Sequence, residues 1–151
     1  MQILILRHGE ADPYARPDCQ RRLTGRGILE TEAILSRQLP SLQSVTQIWA
    51  SPYVRAQETA RLVQKILPGI EVQTTDLLVP EANPQRLANA IEAAEMDSVL
   101  LVSHQPLVGV FLDWLAGLEP GSHRLGTSAL ACVEAEVIAA DCGHLQWVDQ
   151  P

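Results

Sequence analysis

A chain of 151 residues with 46% hydrophobic side chains is long enough to bury a sizeable core, which sets disorder aside and implies one domain spanning 1–151. A formal net charge of −7 and a pI near 5.0 exclude a role built on the basic face that nucleic-acid phosphates demand. No apolar run approaches the roughly 20 residues of a membrane span, and the N-terminal one is too short, with no basic flank, for a signal peptide. The three cysteines are widely spaced with no CxxC pair, which fits a reduced, cytoplasmic chain.

In chain order, QILIL is a short continuous apolar run and predicts a strand buried on both faces. A polar loop, DPYARPDCQRR, follows. LTGRGILETEAILSRQL predicts a helix capped by Thr24, with Ile28, Ala33, Ile34 and Leu35 as its apolar stripe. SVTQIWAS predicts a second strand. SPYVRAQETARLVQKIL predicts a second helix with Ser51 as its cap, Pro52 in its first turn and Leu62, Val63, Ile66 and Leu67 on its buried face. GIEVQTTDLL is a weaker strand candidate, and NPQRLANAIEAA a short helix. DSVLLVSH is a second continuous apolar strand, and QPLVGVFLDWLAGL a helix starting at Pro106 and stopping at Gly117. In the tail the period changes: SALACVEAEVI alternates, ADCG can turn, and HLQWVDQ closes an antiparallel hairpin. Strands alternating with helices predict an α/β domain, a mostly parallel sheet flanked by helices with an antiparallel edge.

Two of the apolar strands run into a histidine, His8 after QILIL and His104 after SVLLV. Ligands of open α/β sheets sit beyond the carboxyl ends of the strands, so these two histidines can face one small ligand. Arg55 falls in the first turn of the Ser51-Pro52 helix, where free N–H groups and the helix dipole favour an anion. The basic residues are almost all arginines, planar forks suited to phosphate or carboxylate, and Arg7, Arg16, Arg21, Arg22, Arg26 and Arg55 gather near the N-terminus. Singly, a strand-end histidine or a first-turn arginine is more often structural; their coincidence at one end of the sheet points to a site.

That arrangement resembles the histidine phosphatase superfamily. Arg7-His8-Gly9 matches its Arg-His-Gly motif, LTGRG its Leu-Thr-x-x-Gly element, and Ser51-Pro52 with Arg55 its Ser-Pro-x-x-Arg element, followed by Ala-x-x-Thr-Ala at 56–60. Val102-Ser103-His104 matches the second histidine motif. Within the superfamily the chain is similar to the small SixA-type phosphohistidine phosphatases, on MQILILRHGEAD, SPYVRAQETA, SVLLVSHQPLVG and the late TSALACV. The resemblance implies a three-layer, phosphoglycerate-mutase-like fold without large insertions. It implies His8 as the nucleophile, with Arg7, Arg55 and His104 around the phosphoryl group, Gly9 and Arg21 as substrate-binding residues (Arg22 beside it left open), and Glu81 as the candidate general acid. Neither a metal nor a cofactor is required, since side chains supply the positive charge. The partner it implies is a histidine-phosphorylated protein, such as a phosphotransfer domain or a phosphocarrier.

Other classes fit less well. A cysteine phosphatase needs arginine six positions after its cysteine, and Gly25 stands there after Cys19. A zinc enzyme needs three or more convergent ligands, and two histidines among arginines do not supply them. A non-catalytic phosphoprotein-binding module could manage with arginines alone, without the two histidines. A broad small-molecule phosphatase stays open as an alternative.

Overall fold

The structure is a computed structural model that describes all residues, Met1–Pro151. Its strands are β1 (Gln2–Arg7), β2 (Gln47–Ala50), β3 (Val72–Thr74), β4 (Ser98–Ser103), β5 (Leu130–Ala135) and β6 (Gly143–Asp149). Its helices are α1 (Gly25–Arg37), α2 (Leu39–Leu42), α3 (Val54–Ile66), α4 (Pro84–Ala93) and α5 (Leu107–Ala116). All six strands form one sheet in the order β3-β2-β4-β1-β5-β6. β1, β2, β3 and β4 are parallel, while β5 and β6 add an antiparallel edge. The mostly parallel sheet with its terminal hairpin is therefore borne out.

The continuous apolar runs are explained by cover on both faces. Ile3, Ile5, Val99 and Leu101 pack with Leu87 of α4 and Phe111 of α5 on one side. Leu4, Leu6, Leu100 and Val102 pack with Ile34 of α1 and Val63 of α3 on the other. Side chains of a strand alternate between faces, so a strand between two helical layers has no polar positions left. The same cover reaches β5: Leu130 to Val133 are all buried and only Glu134 is exposed, so the alternation expected there is largely absent.

Several expectations are corrected. α1 does not run unbroken; it stops at Arg37, and α2 restarts with Pro40 in its first turn. Thr24 does cap α1, accepting the Gly27 N–H at 3.0 Å, but the buried stripe is Gly27, Thr31, Ile34 and Leu35. Ile28 and Ala33 face outward. α3 begins at Val54 behind Tyr53, not at Ser51. The Ser51 hydroxyl instead accepts the Tyr53 N–H at 3.2 Å, closing a turn before the helix. The buried face of α3 is Arg55, Ala56, Thr59, Ala60 and Val63, with Ile66 exposed. In GIEVQTTDLL only Val72–Thr74 is a strand, because the Thr75 hydroxyl accepts the Leu77 N–H and starts a short 3-10 turn at Asp76–Leu78.

Parallel pairing sets the carboxyl ends of β1, β2 and β4 side by side, and the antiparallel β5 enters at the same edge. That edge carries the site.

Candidate active site

His8 follows the last residue of β1 and His104 the last of β4, and the register pairs Arg7 with Ser103. The His8 N–H donates to Ser103 O at 3.0 Å, and the His8 carbonyl accepts the Ser128 N–H at 3.0 Å. Ser128, buried at a φ of 64°, holds a left-handed conformation, and its hydroxyl bonds Thr31 Oγ1 at 2.8 Å. Backbone strain of this kind persists where the surroundings determine it, and here it fixes the amide that anchors His8. The two imidazoles lie with ring centroids 4.9 Å apart.

The protonation of His8 follows from its neighbours. Its Nδ1 lies 2.7 Å from Gly9 O, an atom that can only accept, so Nδ1 carries the proton and Nε2 a lone pair. Burial, with Arg55, Arg7 and Arg21 nearby, lowers the His8 pKa to about 3, although the Gly9 contact works the other way. The imidazole is neutral at physiological pH. Arg55 donates Nε–H to that lone pair at 3.2 Å.

His104 is neutral too, its pKa lowered to about 2 by burial and then by His8 and Arg55. Its Nε2 lies 2.7 Å from Ser51 Oγ. Ser51 already accepts the Tyr53 N–H, so its own hydroxyl hydrogen is free to go to Nε2. That assignment puts the proton of His104 on Nδ1, which is buried and has no partner. Arg7 Nη1 donates to Leu125 O at 2.7 Å, while its Nε is likewise buried without one. These are the only two buried side-chain polar atoms in the chain left unpaired. Unpaired buried donors are costly, and two in one site surrounded by arginines mark a place prepared for an anion.

Arg55 is 4% exposed and lies on α3, its guanidinium carbon 5.0 Å from the centre of the Tyr53 ring. It also donates to Asp18 O at 2.7 Å and Asp18 Oδ2 at 3.1 Å. Arg21 donates Nε–H to the other oxygen of Asp18 at 2.8 Å and reaches Asp12 O at 3.3 Å. Arg22 turns away to Glu58. Arg21 thus shares Asp18 with Arg55, while Arg22 is paired with a different carboxylate.

Gly9 is needed for close approach rather than for a turn. A Cβ there would lie 2.8 Å from Gly27 O and from Thr31 Oγ1, and one on Gly27 would lie 2.2 Å from Glu10 O. The glycines of two separate motifs therefore let the chain after β1 rest directly on the start of α1. The Gly9 N–H donates to Thr59 Oγ1 at 3.1 Å and its carbonyl accepts the Nδ1–H of His8. Glu81 is exposed on the loop before α4.

The pattern of the histidine phosphatase superfamily (branch 1) matches residues 3–79. The chain belongs to that superfamily. A phosphohistidine phosphatase SixA homolog of Haemophilus influenzae is 35% identical over 131 residues, covering 78% of each chain. Phosphohistidine phosphatase SixA of Escherichia coli is 29% identical over 160 residues, covering all of this chain and 94% of the other. A solved structure of the protein histidine phosphatase SixA complexed with tungstate superposes with a TM-score of 0.87 at 28% identity, over all of this chain and 97% of that one.

For a histidine phosphatase of this kind, sequence reasoning found both histidines and Arg55 but missed four supports. Ser51 orients His104, Thr59 holds Gly9, Tyr53 packs its ring 4.9 Å from that of His104, and Asp18 joins two arginines. The Ala-x-x-Thr-Ala element was the available signal for Thr59. An acid three residues before Arg21 was the available signal for Asp18.

Proposed function

We propose that this chain is a phosphohistidine phosphatase that removes phosphate from a histidine-phosphorylated protein through a phosphohistidine intermediate on His8. One observation carries the reading. The chain's two unpaired buried polar atoms, His104 Nδ1 and Arg7 Nε, belong to the site where the unprotonated Nε2 of His8 is bordered by arginines. An anion is wanted there, next to a nucleophile. The tungstate held by the SixA relative is an oxyanion of that kind.

The chemistry runs in two displacements. His8 Nε2 attacks phosphorus, the bond to the substrate's imidazole nitrogen breaks, and that imidazole leaves with the bonding pair and takes a proton. Water then attacks the phosphoryl group on His8, the new P–N bond breaks, and neutral His8 is restored as phosphate departs. Arg7, Arg21 and Arg55 with the Nδ1–H of His104 face the charge that spreads over the equatorial oxygens. A phosphorylated imidazole is a far better leaving group than an alkoxide, so the exposed Glu81 is not required as an acid for this substrate. Glu81→Gln should leave phosphoprotein turnover unchanged. The partner is a phosphotransfer domain or a phosphocarrier met in the cytoplasm. No helix of the chain is long and apolar enough to cross a membrane.

The deciding experiment measures phosphate release from a phosphohistidine-bearing carrier protein by the parent and by His8→Ala, with p-nitrophenyl phosphate alongside. Turnover that vanishes in His8→Ala, with little ester hydrolysis, is the expected result. Brisk ester hydrolysis without phosphoprotein turnover identifies a small-molecule phosphatase instead.

A further inference from the structure

Asp18 is an exposed acid on a three-residue 3-10 turn, Asp18–Gln20, that buries no side chain. By burial alone it would pass as surface, yet its contacts are concentrated on the site. Arg21 Nε donates to Oδ1 at 2.8 Å, Arg55 Nη2 to Oδ2 at 3.1 Å, and Arg55 Nη1 to the Asp18 carbonyl at 2.7 Å. The two arginines come from different parts of the fold, one from the loop before α1 and the other from α3. A single residue spans them.

Arg55 is almost wholly buried, and Asp18 supplies its one ion pair. A buried guanidinium has long, flexible torsions and a large desolvation cost, so it adopts one geometry only when something charged defines it. Apart from Asp18, its fork meets only uncharged groups, the lone pair of His8 and the face of the Tyr53 ring. Arg21 is held even more loosely elsewhere, by the long contact to Asp12 O. The Asp18 carboxyl lies below its ordinary pKa: slight burial pushes it up, but hydrogen bonds from Arg21 and Arg55 outweigh this. It is a carboxylate at neutral pH.

We propose that Asp18 is a positioning residue for phosphoryl transfer, setting Arg55 and Arg21 in register with each other and with His8 before substrate arrives. This rests on the reading of those arginines as the phosphoryl cradle. Pre-set donors need no reorganisation when charge develops, which is why a residue outside the chemistry affects its rate.

The test is tungstate binding by calorimetry on the parent, Asp18→Ala, Asp18→Asn and Asp18→Glu, with kcat and KM on the phosphohistidine carrier. Asp18→Ala leaves the buried Arg55 without its carboxylate and should lower the denaturant midpoint, so affinity and kcat are compared under conditions where every variant is fully folded. For Asp18→Ala we expect tungstate affinity and kcat each to fall on the order of 10-fold. Asp18→Asn, which keeps one acceptor, falls between, and Asp18→Glu partly restores both. The Nε2 resonance of His8 in a ¹⁵N imidazole spectrum should also shift in Asp18→Ala, because Arg55 Nε no longer rests against it. A structural role confined to the loop would not move it. An unchanged affinity overturns the inference. So does a higher one, which would make the carboxylate a competitor that occupies the arginines in place of phosphate. If the parent itself neither binds tungstate nor turns over the carrier, it is the phosphatase reading that fails, and the Asp18 inference with it.

Discussion

Two histidine neighbourhoods of the same chain are built on opposite electrostatics. His8 and His104 stand among arginines with no carboxylate touching either ring, and both stay neutral. His123, in the loop after α5, has a carboxylate at hand: its Nδ1 lies 2.9 Å from Oδ1 of Asp113, a residue only 2% exposed. Asp113 also accepts the N–H groups of Gly121 and His123. The first pair is arranged for a lone pair and an incoming anion; the second fastens a loop. Residue type does not separate the two roles, but the sign of the nearest charged group does.

The comparison breaks most sharply at His8. His8→Ala should cost on the order of 10⁴-fold or more in phosphoprotein turnover, whereas His123→Ala should leave kcat within a few-fold of the parent in the same assay.

Acid is the next largest lever, and its sign is fixed. In the unfolded chain both histidines bind a proton below about pH 6.5, while in the folded chain they stay neutral down to about 3 for His8 and about 2 for His104. The unfolded state therefore binds more protons throughout that window, and stability falls as pH drops below 6.5. The slope is about 1.4 kcal/mol per pH unit for each histidine. Urea midpoints from pH 7 to 5 should decline steeply in the parent and about half as steeply in His8→Ala.

Substituting Gly27 tests the support beneath His8. A Cβ 2.2 Å from Glu10 O forces backbone apart, so Gly27→Ala should lose roughly 3 kcal/mol or more of unfolding free energy. Gly25→Ala, with open space around the new methyl, should lie within about 0.5 kcal/mol of the parent. Between the two lies Asp113→Ala, expected to cost about 1–3 kcal/mol by leaving two loop amides unpaired. Its effect on turnover should be modest and exerted through Arg7, whose guanidinium is held by the carbonyl of Leu125 in that loop.

What could be read in advance divides along a physical line. β1, β4 and α5 are legible because cover on both faces, or nearly all round, leaves unbroken apolar runs. The stripe of α1 was misread because two of its four buried positions are Gly27 and Thr31, chosen for close approach and a hydroxyl contact rather than for hydropathy. In the site, Arg7, His8 and His104 could be found because they interrupt apolar strands. Ser51 could not, since its partner lies 53 residues away, and Asp18 had only its neighbour Arg21 as a signal, its pairing with Arg55 37 residues on being made by the fold. Glu81 came from the family resemblance alone, and its exposed position on the loop before α4 has no hydropathy signal in the sequence.

One contact described above also governs when this protein is reactive. The Nε2 lone pair of His8 accepts a guanidinium N–H from Arg55, so an electrophile at that nitrogen has a hydrogen bond to displace before it reacts. Under the proposed function, a phosphoryl oxygen is a better acceptor for that N–H than a neutral imidazole, so the substrate itself would free the lone pair. A neutral alkylating agent brings no such oxygen, so His8 should react with it slowly.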